Sequence, residues 1–73
     1  MNFNSWQLVD SRDMTVEVGD VLTAKDGSVY EVLSGRQPSS QEPHGTVVVT
    51  SAHDGTVMTT TPWTFFCRWV HQV

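Results

Sequence analysis

Cysteine occurs once in this chain of 73 residues, at Cys67, which excludes an internal disulfide and every zinc motif built on paired Cys-x-x-Cys. Cations are almost as scarce: Arg12, Lys25, Arg36 and Arg68 stand against eight carboxylates, for a formal charge of −4. A nucleic-acid backbone is gripped by clustered Lys and Arg that displace counterions, and four scattered cations make no such cluster, so nucleic acid is not the expected main partner. No apolar run approaches the ~20 residues that cross a bilayer as a helix. The first residues lack the basic stretch, apolar run and small-residue cleavage site of a secretory signal. A soluble, cytoplasmic protein without membrane contact is expected. Gly19, Gly27, Gly35, Gly45 and Gly55 are spread along the chain, and none belongs to a phosphate-cradling GxGxxG or GxxxxGK[ST] loop.

Catalytic groups are equally sparse. His44, His53, His71 and Cys67 are the candidates, and a Cys-His pair needs hydrogen-bond contact to make a nucleophile. Cys67 and His71 fall on one face of the same segment, but four residues of strand separate them by ~13 Å; Cys67 reads as an apolar filler. His44 and His53 flank TVVVTS without a metal-ligand spacing. Thr59, Thr60 and Thr61 are strand formers rather than a polar site. A non-enzymatic protein without cofactor or metal follows.

Strand signals, by contrast, run through most of the chain. In TVEVGDVLTAKDGSVYEVL, from Thr15, Val16 and Val18 alternate with Glu17, Gly19-Asp20 interrupts, and Asp26-Gly27 separates VLTA from SVYEVL as in a type I′ hairpin. TVVVTS, Thr46 to Ser51, is a β-branched run suited to burial. Asp54-Gly55 marks a second hairpin, with Thr56 to Thr61 as its return. Pro62 lacks an N–H and takes the chain off the sheet, through a short 3-10 turn at Trp63-Thr64-Phe65, into a last strand Cys67 to Gln72. There Phe66, Arg68 and Val70 share one face and Cys67, Trp69 and His71 the other. Asp10 to Asp13 is too short for an isolated helix and reads as a helical turn or a capped loop.

Five short strands in one domain of this size predict an all-β fold, a five-stranded antiparallel barrel over 15–73, with residues 1–14 lying across one open end as a plug through Phe3, Trp6, Leu8 and Val9. The rival is an open α+β sheet with an N-terminal helix. VEVGDVLTAKDGSVYEVL, Val16 to Leu33, resembles the opening of SH3-like small barrels, including KOW-type modules. Gly27 to Val32, Gly35 to Pro38, Gly45 to Val49, Asp54-Gly55 and Arg68 to Val70 are similar to elements of short bacteriophage proteins. The resemblance implies an SH3-like barrel encoded by a phage or mobile element. The KOW likeness alone implies nucleic-acid binding, from which the acidic balance departs.

Binding therefore carries the functional expectation: a small protein-interaction module, with a KOW-like nucleic-acid binder or a structural homo-oligomer as alternatives. The stretch GRQPSSQEPH is the longest interruption in a chain otherwise joined by tight turns, and recognition concentrates in such loops. It supplies Arg36, Gln37, Pro38, Gln41, Glu42 and His44 as partner-binding candidates; the alternative is an inert connection. Trp63 and Trp69 beside Arg68 are a second candidate surface, having the composition of an interface hot spot, unless the rings are core or are buried in a homodimer. Asp10, Asp13, Glu17, Asp20, Asp26 and Glu31 crowd one segment against Arg12 and Lys25; that face suits a basic partner, imitates a phosphate array, or is simply solvated.

Overall fold

The computed structural model describes residues 2–3, as backbone, and 6–71. Among the described residues seven antiparallel strands form two sheets: β1 (Asn2–Phe3), β2 (Trp6–Val9) and β7 (Arg68–His71) in the order β1-β2-β7, and β3 (Val21–Thr23), β4 (Val29–Arg36), β5 (Thr46–Ser51) and β6 (Val57–Thr60) in chain order. The all-β expectation holds, while the single closed barrel gives way to two separate sheets. Pro62 explains one opening. It begins a 3-10 turn, Pro62–Phe65, closed by Thr64 N–H donating to the Thr61 carbonyl and Cys67 N–H to that of Pro62, and this carries the chain from the β6 edge to the other sheet.

The N-terminal segment does not plug an open end. Trp6–Val9 is a strand in register with β7, Leu8 opposite Trp69 and Val9 opposite Arg68, because Leu8 and Val9 are buried and their backbone groups need ladder partners. The Phe3 side chain and Gln72 lie outside the described residues. Asp10 to Asp13 takes the capped-loop alternative: the Asp10 carboxylate accepts from the backbone N–H of Arg12 at 2.8 Å and of Met14 at 3.1 Å. From there the chain crosses between the sheets. Val16 N–H donates to the Leu8 carbonyl, and three residues on Gly19 N–H donates to that of Val32.

Val16 and Val18 do not share a face: Val16 is buried and Val18 exposed, since the chain turns at Val18-Gly19 with Asp20 Oδ2 accepting from Glu17 N–H. The Asp26-Gly27 hairpin forms but not as type I′, which requires positive φ at both residues. Only Gly27 has it, at 92°. Gly27 N–H donates to the Ala24 carbonyl and Ala24 N–H to that of Ser28, giving a three-residue loop with glycine in the left-handed position. The Asp26 carboxylate serves instead as acceptor for Ser28 N–H at 2.9 Å.

β5 does what its composition requires. Val47 and Val49 are wholly buried, and β4 supplies Val32 opposite Val49. A register shift between Val32 and Ser34 leaves Leu33 as an extra residue, the signature of a bulge that bends the strand. Leu8, Val16, Ala24, Phe65, Cys67 and Trp69 complete one core shared by the two sheets. Burial of each large apolar side chain is worth about 1.5–3 kcal/mol. Tyr30 joins from the rim, its ring edge-on to Phe65 at 5.4 Å.

Candidate functional site

A groove of about 490 Å³ lies where the 37–45 loop faces the 3-10 turn and the first sheet, within the range of small-ligand and peptide pockets. The loop contributes Pro38, Pro43 and His44, the 3-10 turn Pro62 and Trp63, and β7 the residues Arg68 and Trp69. Trp6 of β2 closes the far side, its ring edge-on to His71 at 4.8 Å. Three tryptophans and three prolines make the walls rigid and apolar, and His44 and Arg68 place donors among them.

Each wall has a local cause. The loop is tied by Ser39 N–H donating to the Glu42 carbonyl, Glu42 N–H to Ser39 Oγ at 3.1 Å, and Gly45 N–H back to the Glu42 carbonyl. Gly45, with φ +69°, is pressed on the Trp69 indole: a Cβ there would stand 2.5 Å from Trp69 Cδ1 and 2.6 Å from the Arg36 carbonyl oxygen. Arg68 is held at the rim by an ion pair with Asp13, both side chains being exposed, so the pair is worth under about 1 kcal/mol.

Of the sequence candidates, the groove gathers Pro38, His44, Trp63, Arg68 and Trp69. Arg36, Gln37, Gln41 and Glu42 do not line it. Arg36 ends β4 opposite Thr46, exposed and without a carboxylate partner among the described residues. Gln37 turns inward at the loop base, its Oε1 buried and unpartnered among the described residues, at a cost of about 1–3 kcal/mol. Gln41 and Glu42 are exposed on the loop. Sequence reasoning missed Trp6, Pro43 and Pro62 as walls. Pro43 was visible as a loop proline, whereas the place of Trp6 depends on pairing with a strand some sixty residues away.

The candidate aromatic surface divides between core and solvent. Trp69 and Phe65 are core, while Trp63 and Phe66 are exposed at 71% and 54%. Lys25, from the β3–β4 turn, sets its ammonium over the Trp63 ring and 5.4 Å from the Phe66 centroid, a contact worth about 0.5–1 kcal/mol at an exposed site.

Titratable groups near the groove are poorly placed for covalent chemistry. Burial, then the charge of Asp10, pushes the Cys67 thiol up to about 11, and its Sγ donates to the Phe65 carbonyl at 3.5 Å. Such a thiol is inert at neutral pH. His71 is engaged edge-on with Trp6, and His53 lies in the β5–β6 turn, its backbone N–H donating to Ser51 Oγ. Among the described residues no three His, Cys, Asp or Glu side chains group as metal ligands, and no helix is long and apolar enough to cross a membrane. Fold and groove define a class, a small antiparallel two-sheet domain with a Trp- and Pro-walled cleft. Comparison with protein-family models, curated proteins and solved structures finds no match to the chain.

Proposed function

We propose that the chain is a small non-enzymatic protein-interaction module of the SH3-like type, encoded by a phage or mobile element, which receives a partner in the groove between the 37–45 loop, the 3-10 turn and β7. One observation carries this reading: the long loop is anchored, through Gly45 on Trp69 and three hydrogen bonds to Ser39 and Glu42, so its prolines stand as a wall before any partner arrives. A preformed wall lowers the ordering cost of association. The SH3-like assignment is supported by the long β4–β5 loop, the tight β5–β6 turn, and a 3-10 turn leading to a last strand paired with β2. A KOW-like nucleic-acid role is weakened by the engagement of Lys25 with Trp63 and of Arg68 with Asp13.

Self-association is the second reading, favoured by the outer face of the larger sheet, where Val21, Glu31, Thr50 and Val57 form one cross-strand row with both valines exposed above 60%. The test is capture from bacterial lysate, with and without nuclease treatment, by tagged wild type beside a Pro43→Glu/His44→Glu variant. A protein retained by wild type and lost by the variant is expected. Retention that ignores the variant, or that disappears with nuclease, rejects the groove as a protein site. Concentration-dependent mass in sedimentation, abolished by Val57→Lys, would favour self-association instead.

A further inference from the structure

Trp63 and Phe66 are costly residues for the positions they hold. Phe66 sits in the left-handed region, φ 61° and ψ 24°, where Gly or Asn is favoured and an aromatic residue is strained, and its ring is still more than half exposed. Trp63, three residues earlier on the same turn, is the most exposed large apolar side chain described. Neither position serves the core. What they share is a cation: Lys25 lies over one ring and within reach of the other.

The chain as a whole is acidic, with a formal charge of −4. Arg12 is paired to Asp10 and Arg68 to Asp13, while Asp20, Asp26 and Glu31 have no cationic partner among the described residues. Asp26 adjoins Lys25 in the same turn. A cation arriving at Trp63 meets an aromatic face on a chain of net negative charge, and the resident one, Lys25, is held by no carboxylate among the described residues.

We propose that the Trp63–Phe66 surface is a seat for a lysine or arginine side chain of a basic protein partner, and that Lys25 is an internal occupant which the incoming cation displaces. This inference rests on the reading of the chain as an interaction module and names its partner's chemistry: a segment whose basic residue takes the aromatic seat while its apolar neighbours lie on the Trp and Pro walls of the adjoining groove, which shares Trp63. Displacement exchanges one exposed cation–aromatic contact for another, so the partner's gain comes from the net negative charge of the chain and from apolar contact with the groove walls.

The probe is an acetylated, amidated peptide, Gly-Lys-Gly-Lys-Gly, beside the same peptide with both lysines acetylated. Both are titrated into the full chain while the Trp63 indole N–H and the Phe66 amide are followed by NMR. The lysine peptide is expected to shift both signals and the acetylated one neither. Lys25→Gln vacates the seat and should tighten binding about three- to sixfold, the competition a contact of this strength imposes. Arg12→Gln makes the same change in net charge without vacating the ring and should give no such gain, and Lys25→Arg should behave as wild type. Trp63→Ala, an exposed site, should fold and lose the response. Equal tightening by Lys25→Gln and Arg12→Gln, or shifts that spare Trp63, would overturn the seat. The interaction-module reading fails separately, when lysate capture ignores the Pro43→Glu/His44→Glu variant.

Discussion

At the scale of single residues, what a group does is set by what it is buried against or bonded to. Asp10, Asp26 and Asp54 each accept backbone N–H bonds, which lower their carboxyl groups from the ordinary value of 3.8. A lowered folded value contributes stability that is present above 3.8 and is lost as pH falls through the folded value. Asp54→Ala should therefore be less stable than wild type in urea melts at pH 7, with the difference shrinking as pH drops below 3.8. Cys67 works in the other direction. Its folded thiol ionises near 11 against an ordinary 9.0, so between those values the unfolded chain releases a proton that the folded chain keeps. Relative to Cys67→Ala, wild type should lose stability across that window at up to about 1.4 kcal/mol per pH unit. Phe66→Asn relieves left-handed strain and should stabilise the fold by about 0.5–1 kcal/mol, while weakening the lysine peptide, a trade common at binding sites. Nothing in the local sequence marks Phe66 as left-handed, because that conformation is imposed by the closure of the 3-10 turn.

Elements differ in how much of themselves is local. Both Asp-Gly turns, the β-branched TVVVTS strand and the 3-10 turn after Pro62 were legible, since each is decided by residues within a few positions: a glycine with positive φ, side chains that suit a half-buried pleat, a missing N–H. The type of the Asp26-Gly27 turn was not, because Asp26 is drawn into bonding Ser28 N–H instead of taking positive φ. The 37–45 loop was readable as a place but not as a structure. Its composition permits either a slack connection or a wall, and only the contact of Gly45 with Trp69 chooses. Gly45→Ala combines left-handed strain with overlap on the indole and should cost about 2–4 kcal/mol. Gly27→Ala, also at positive φ but with open space around it, should cost only about 1–2 kcal/mol. Urea melts of the two variants measure the difference, and equal losses would mean the loop does not rest on Trp69.

Over the whole molecule, the two sheets depend on one core. Leu8 is wholly buried in the smaller sheet and Val32, Val47 and Val49 in the larger, within a single cluster. A domain of this length has a net stability of only about 4–11 kcal/mol. Leu8→Ala should remove about 2–5 kcal/mol of it and lower the unfolding midpoints of both sheets together. Two separated transitions, by tryptophan fluorescence for the first sheet and backbone amide exchange for the second, would contradict a shared core. The negative charge belongs to this scale as well: six carboxylates lie along residues 10–31, and binding of the lysine peptide should weaken as salt screens them.

The amino-acid sequence by itself determined the all-β class, the hairpin positions, the exit at Pro62 and the acidic character, because each follows from short-range sterics, hydrogen-bonding capacity or composition. Tertiary structure alone decided that Trp6–Val9 pairs with β7, that the sheets remain two, that Trp69 is buried while Trp63 is exposed, and that Lys25 rests on Trp63. Those outcomes join residues far apart in the chain. They are selected by which apolar faces can be buried together once the local pieces exist, a competition that no single segment contains.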